Sequence, residues 1–168
     1  MMAGASTPAH ADDIGLLARR IAAQDALTRV FVCADRRDWD GLQAVLADTV
    51  AVDYTSLNGG EPADVPAPAL LAAWRQTLGG FETTQHLLGS FLADEITPDR
   101  AHLRFYAIAT HVLHAGHGDS TWTVAGHYDA QLRDDGDGYK LAALTLHLDW
   151  ARGNQQLPVL AGSSDGGA

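Results

Sequence analysis

Apolar and polar residues along this chain follow two different periods, one in each half. Up to about residue 80 the apolar residues recur at steps of three and four, which is typical of helices. From Thr83 onward the step is two, which is typical of strands. The pattern predicts helices over about 13–35, 38–46 and 70–78, with a first strand over 50–56. It predicts longer strands over 83–95, 101–113, 121–133 and 139–150.

Short segments rich in glycine and aspartate separate the longer strands, at 97–99, 116–119 and 134–138. Turns this short join antiparallel neighbours, so we expect a meander. Helices followed by long antiparallel strands define an α+β domain. A curved sheet wrapped around the first helix would enclose a pocket.

One acidic residue continues the predicted apolar stripe of the first helix. The stripe consists of Ile14, Leu17, Ile21, Thr28 and Val32, and Asp35 follows it at helical spacing. A carboxylate that points into a core is costly to bury without a partner. The alternative is that the helix ends before Asp35, which then only caps the following turn. The helix alone does not choose between these interpretations.

Strand phase provides candidate partners for this carboxylate. His111 shares the apolar face of its strand with Phe105, whereas His127 lies on a polar face. His86 alternates with Leu88, on a strand whose two faces are both apolar. Tyr54 shares a face with Val50 and Val52, and the phase of His147 is ambiguous. Taken singly, an inward histidine is more often a core residue than a catalyst, and Tyr54 is most simply a core aromatic.

Length and composition limit the alternatives. The 168 residues suit one domain, over 13–154, with expected tails over 1–12 and 155–168. The net charge of -10 argues against nucleic-acid binding, and no apolar run is long enough to span a membrane. We expect no signal peptide, and the single Cys33 is compatible with the cytoplasm. His114 and His117 form a possible metal pair, but they lie in a turn without an evident third ligand, so we expect no metal.

Five segments together resemble a known family: Ala34-Asp35-Arg36-Arg37-Asp38-Trp39, Val52-Asp53-Tyr54, Thr84-Gln85-His86, Thr110-His111 and Trp150-Ala151-Arg152-Gly153-Asn154. The chain resembles the SnoaL-like branch of the NTF2-like superfamily, which includes scytalone dehydratase and hexachlorocyclohexane dehydrochlorinase. The resemblance implies a cone in which N-terminal helices pack against a strongly curved, mostly antiparallel mixed sheet. It also implies that His86 and Asp35 form a His–Asp dyad. Tyr54 resembles a tyrosine that addresses the substrate oxygen, and His111 resembles a second catalytic histidine.

The chain also departs from this family's patterns. Ala34 occupies the position of a second dehydratase tyrosine, and the dehydratase's asparagine on a later strand has no clear match. The R-x-D element of limonene epoxide hydrolase is missing at Arg104-Phe105-Tyr106. The first helix has no tyrosine, which disfavours ketosteroid-isomerase chemistry.

These observations predict a cofactor-independent lyase that acts on a hydrophobic cyclic or polyketide-like substrate, with His86 as the base. His111 would assist the leaving group, as a general acid for hydroxide. The expected substrate contacts are Phe105, Trp122, Tyr128, Val52 and Leu88. The alternatives are a polyketide cyclase or isomerase that uses the same dyad, and a non-catalytic binding module. We also expect a homo-oligomer, a trimer by resemblance or else a dimer, formed through apolar residues of an outer sheet face at Leu144, Leu146, Leu148 and Trp150.

Overall fold

The computed structural model describes residues 8–114, 116 and 118–163. The helices are α1 (Pro8–Arg36), α2 (Trp39–Ala44), α3 (Thr55–Asn58), α4 (Ala67–Gly79) and α5 (Leu157–Ser163). The strands are β1 (Leu46–Asp53), β2 (Ala63–Pro66), β3 (Thr83–Ile96), β4 (Arg100–Val112), β5 (Thr121–Asp134) and β6 (Tyr139–Gly153). The three predicted helices and the four long strands are confirmed. The predicted strand over 50–56 is β1, which begins and ends earlier, and the last two residues of that prediction belong to α3. Strand β2 and helix α5 lie where the sequence predicted no element.

The six strands form one open, mixed sheet in the order β2-β1-β6-β5-β4-β3. Strands β3 to β6 form the predicted antiparallel meander, and β2 pairs antiparallel with β1. Only β1 and β6 run parallel within the described sheet, so the sheet is mixed but mostly antiparallel. The α+β prediction is therefore confirmed, with the N-terminal helices packed on one face of the sheet. None of the described helices combines the length and apolarity needed to cross a membrane.

The buried face of α1 differs from the predicted one. Ile14, Leu17, Ile21 and Val32 are exposed, so that part of the prediction is wrong. The face that packs against the core instead carries Ala23, Ala26, Leu27, Val30, Phe31 and Ala34. Large side chains dominate a hydrophobicity pattern, whereas alanines contribute little to it, even though they let a helix approach a sheet closely. Asp35 still lies beside the sheet, because it follows the buried Phe31 by one i+4 step.

Both expected tails begin or end differently in the structure. Helix α1 begins at Pro8, so the expected N-terminal tail is helical from that residue, and residues 1–7 lie outside the described part. The expected C-terminal tail contains α5, whose Leu157 and Ala161 are fully buried. Leu157 and Ala161 pack in a small apolar cluster with Phe81. The segment was expected to be a tail because its closing residues, from Ala161 onward, are small or polar.

Helix α5 packs closely on Gly80, the residue that follows α4. A methyl group at this position would lie 2.0 Å from the carbonyl oxygen of Ala161. Because that atom belongs to the backbone, Gly80→Ala should destabilise the protein by about 1–3 kcal/mol, as overpacking does. Urea denaturation measures the change. Gly79→Ala is the matched control, because a methyl there meets nothing within 4 Å. Equal midpoints for the two variants would contradict this packing.

The outer face of the sheet was assigned incorrectly on β6. Leu144 and Leu146 are buried in the core, and Trp150 is exposed. The other exposed large apolar residues of the long strands are Leu87, Leu92, Tyr106 and Ile108. Association into a homo-oligomer therefore stays a prediction, and these exposed residues, rather than Leu144 and Leu146, would have to form the interface.

Candidate active site

Asp35 lies in the last turn of α1. The helix continues to Arg36, so the alternative in which it ends before Asp35 is wrong. Arg37 has a positive φ of 59°, and the Asp38 N–H donates to the carbonyl of Cys33. This is the arrangement of a Schellman helix end. Asp38 then caps α2, since its carboxylate accepts from the N–H of Gly41.

The carboxylate of Asp35 contacts His86 on β3 through two hydrogen bonds. Its Oδ2 accepts from the His86 backbone N–H at 2.7 Å, and its Oδ1 lies 2.7 Å from His86 Nδ1. The two side chains are 16% and 10% exposed, respectively. The contact that the resemblance implied is present in the structure, and water has little access to it.

A second residue of β3, Thr84, also binds the carboxylate of Asp35. The hydroxyl of Thr84 donates to Asp35 Oδ1 at 2.9 Å and accepts from Arg37 Nη1 at 2.9 Å. The Arg37 guanidinium also donates to the carbonyl of Phe81 at 3.1 Å. Arg37, Thr84 and Asp35 therefore form a chain of hydrogen bonds that ends at His86.

Three donors converge on one carboxylate, and they set its charge state. Burial by itself would raise the pKa of Asp35. The hydrogen bonds and charge of His86, together with the Thr84 hydroxyl, more than offset burial, and the pKa lies below its ordinary value. Asp35 is therefore ionised at neutral pH and accepts from all three donors.

The ionised carboxylate determines the tautomer of His86. Because Asp35 can only accept, neutral His86 must carry its proton on Nδ1. The other nitrogen, Nε2, is then unprotonated. The His86 ring borders the cavity described below, so this site can present a base to a bound molecule.

His111 is buried beside His86 and is held neutral. The two rings meet edge to face, with centroids 5.7 Å apart. Burial, followed by the nearby charge of His86, lowers the pKa of His111 to about 4. The Trp122 carbonyl lies 3.3 Å from His111 Nδ1, which assigns the ring proton to that nitrogen. A general acid for hydroxide must release a proton, so this expected role does not fit a neutral ring whose proton is directed to a backbone carbonyl.

A cavity of about 180 Å³ borders both histidine rings. Its lining is mainly apolar and aromatic, and includes Tyr54, Trp122 and Tyr128, as the sequence predicted, together with Phe31 and Trp74. Helix α5 contributes Pro158 to the lining. A cavity of this character suits a small, largely apolar ring compound.

The remaining predicted substrate contacts lie elsewhere. Phe105 does not line the cavity but packs behind it, stacked on Tyr128 with ring centroids 5.1 Å apart. Val52 and Leu88 pack against the core and border separate surface depressions. Phe105, Val52 and Leu88 were predicted from strand phase, which assigns a side of the sheet but not a place along it.

The other histidines that could be placed lie away from the cavity. His127 and His147 are exposed and stack on each other, and His127 contacts Asp149 at 3.2 Å. His114 contacts Glu82, and His117 lies outside the described residues, so the possible metal pair cannot be placed. Among the residues that the structure describes, no group of three or more potential ligands could hold a metal ion.

The sequence analysis missed four residues of the site. Thr84 and Arg37 stood in the recognised motifs, but their mutual contact depends on how α1 crosses β3. Asn58 and Thr77 are polar residues of the cavity lining. Asn58 belongs to α3, which the sequence pattern did not predict. Thr77 lies on α4, where the apolar residues alone define the helical pattern.

Thr84→Val tests the support of Asp35. Valine keeps the shape of threonine but removes the hydrogen bond to the carboxylate and one acceptor of Arg37, whose Nη1 still donates to the carbonyls of Ala34 and Asp35. We expect a loss of about 1–3 kcal/mol in the free energy of unfolding, as for other hydrogen bonds to a charged group. Thr123→Val is the control, since Thr123 is equally buried but has only a 3.4 Å contact with Thr110. Equal losses in the two variants, measured by urea denaturation, would contradict the network.

Comparison with known proteins agrees with this architecture. A sequence model of the SnoaL-like domain matches residues 16–145. The solved structure of the Kfla4162 protein from Kribbella flavida is similar, with 28% identity and a TM-score of 0.79, over 84% of this chain and 97% of that one. A comparison with curated proteins finds no match.

Two further similar structures carry names of enzymes. The hexachlorocyclohexane dehydrochlorinase LinA type 2 is 16% identical, with a TM-score of 0.70 over 84% of this chain and 93% of that one. A protein described as a candidate scytalone dehydratase, from Novosphingobium aromaticivorans, is 16% identical, with a TM-score of 0.71 over 82% and 89%. At 16% identity, the similarity to these two structures shows a shared fold and no more. The family match covers most of the chain, which therefore belongs to the SnoaL-like domain family.

Proposed function

We propose that this protein is a small-molecule lyase in which His86 removes a proton from a carbon atom next to a carbonyl group. The observation that carries the proposal is the 2.7 Å contact between Asp35 and His86 Nδ1. This contact leaves Nε2 unprotonated on a ring that borders a mainly apolar cavity. Asp35 would orient the ring and stabilise the imidazolium that forms.

The proposed reaction returns its proton to the leaving group. The C–H bond breaks, its proton moves to His86 Nε2, and its electron pair forms an enolate whose negative charge lies on the carbonyl oxygen. The carbonyl then re-forms and the leaving group departs from the next carbon. It leaves as water, with the proton from His86, or as a halide ion, in which case His86 passes its proton to the solvent. Each transfer uses a side chain of this chain, so the proposal requires no metal or organic cofactor.

Tyr54 is the group proposed to stabilise the enolate oxygen. It lies between β1 and α3 and borders the cavity. Burial raises its pKa well above the ordinary value, so the hydroxyl keeps its proton and acts as a donor. His111, neutral beside His86, would avoid repulsion of the imidazolium when it forms.

Isomerisation or cyclisation is the second candidate, and the state of His111 supports it. With His111 neutral, the proton that His86 has removed would be returned to the substrate by His86 itself. Where a C=C bond of the substrate is conjugated with the enolate, returning that proton to the far carbon of the conjugated system gives an isomer, with no leaving group at all. The proposed base and the proposed enolate donor are the same in both reactions.

A panel of cyclic ketones with hydroxyl or halide substituents at the β carbon tests the proposal. The wild-type protein should release water or halide from at least one class, or should move the C=C bond of a β,γ-unsaturated cyclic ketone, as followed by ¹H NMR. His86→Ala and Asp35→Asn should be inactive on the same compound. Equal residual activity in all three proteins, with binding retained, would instead favour a non-catalytic binding module.

A further inference from the structure

A second tyrosine, Tyr128, borders the cavity, and its hydroxyl has no hydrogen-bond partner among the residues that the structure describes. Tyr128 on β5 is 5% exposed, and neither its hydroxyl nor that of Tyr54 makes a hydrogen bond within the described residues. The Tyr128 ring is held firmly, because it stacks on Phe105 and meets Phe31 edge to face at 5.8 Å. Its orientation is therefore set before any ligand binds.

Packing does not account for the hydroxyl of Tyr128. A phenylalanine would make the same ring contacts with Phe105 and Phe31, so the packing of the ring does not require the O–H group. Tyr139, by contrast, donates its hydroxyl to the Thr97 carbonyl. The unpaired hydroxyl of Tyr128 is therefore suited to a ligand atom in the cavity.

The hydroxyls of Tyr54 and Tyr128 can donate to the same ligand atom, because both residues border one cavity. Tyr54 follows β1 and Tyr128 lies on β5, and these strands flank β6 on its two sides. Burial raises the pKa of both hydroxyls, and the charge of a Tyr128 phenolate would raise that of Tyr54 further. Both groups therefore stay protonated at neutral pH, and both can donate.

We propose that Tyr128 is a second catalytic hydrogen-bond donor, which binds the same substrate oxygen as Tyr54 and stabilises it as an oxyanion. The inference rests on the proposed function, because the negative charge on the substrate oxygen forms when His86 removes the proton from the neighbouring carbon. It narrows the substrate to compounds whose acidic C–H lies next to a carbonyl on a small, mainly apolar ring. It also gives this chain a second donor although Ala34 replaces the dehydratase tyrosine of the first helix.

Binding of pentafluorophenolate, compared with pentafluorobenzene, tests the donor pair without turnover. The two probes differ by one oxygen, which is ionised in the first at neutral pH, and ¹⁹F NMR reports the binding of both. Wild type should bind the phenolate more tightly than pentafluorobenzene. Tyr54→Phe and Tyr128→Phe should each weaken the phenolate about 10- to 100-fold, as expected for hydrogen bonds to a charged group. Pentafluorobenzene should bind equally to all three proteins.

Tyr106→Phe is the control, since Tyr106 lies exposed on the outer face of β4. It should bind both probes as wild type does. The inference is overturned if Tyr128→Phe keeps wild-type affinity for the phenolate, or if wild type does not prefer the phenolate. In either case the role of His86 in turnover is unaffected. If both tyrosines are needed for tight binding of the phenolate but no ketone is turned over, the proposed function is wrong and the assignment of an oxyanion-binding site is supported.

Discussion

His86→Ala should lower turnover of an active ketone by about 10²–10⁴-fold, the usual contribution of a general base. Alanine removes the nitrogen that accepts the proton and leaves the cavity otherwise intact. The Michaelis constant should change much less than kcat, because the ring acts on the reacting atom rather than on the rest of the ligand. Steady-state kinetics on the compound found in the panel measures both constants.

His127→Ala is the matched control for this variant. His127 also contacts an aspartate, Asp149, but it lies exposed on the outer face of the sheet. It should keep wild-type kinetics. A loss of turnover of similar size in the two variants would show that the effect of His86→Ala comes from the fold rather than from the site.

Asp35→Asn should reduce turnover by about 10²–10⁴-fold, although it changes one atom, because the wrong tautomer of the base is inactive. Asparagine has one acceptor oxygen, whereas Asp35 accepts from the His86 backbone, the His86 ring and Thr84. When that oxygen accepts from the His86 backbone, the amide NH₂ faces the ring. Nδ1 must then accept, and the proton moves to Nε2, which can no longer act as a base.

The kinetic loss should be accompanied by a change in acid stability. Because folding lowers the pKa of Asp35, its ionised form stabilises the protein above the pKa of the unfolded chain. This contribution is lost as the pH falls through the lower, folded-state pKa. Asp35→Asn removes it, so denaturation midpoints of the variant should fall less steeply in acid than those of wild type. Asp149→Asn serves as the control for both readouts, and kinetics unchanged in Asp35→Asn would contradict the role of the carboxylate.

The strands could be predicted because their signal is local and repeated. Along β4, alternate residues from Ala101 to His111 are buried, so period two persists over the whole strand. The same period placed His111 on the inner face and His127 on the outer face, as the structure has them. Strand phase alone could not place Phe105 relative to the cavity, since position along the strand depends on the helices that cover it.

The parts that depend on helix packing could not be predicted in the same way. Helix α1 packs through alanines, whereas its larger exposed residues gave the stronger pattern. Asp35 was therefore selected from the wrong stripe, and it reaches the sheet because it lies one turn beyond Phe31. The partnership with His86 came from the family resemblance, and the supporting contacts of Thr84 and Arg37 join residues 47 or more positions apart.

The tautomer of His86 is the most direct test of the account, and ¹⁵N NMR of the histidine rings measures it without a substrate. In wild type, the neutral His86 ring should show a protonated Nδ1 and an unprotonated Nε2. In Asp35→Asn the proton should move to Nε2. A wild-type spectrum in which Nε2 carries the proton would contradict the account, because the nitrogen proposed to act as the base could not accept one.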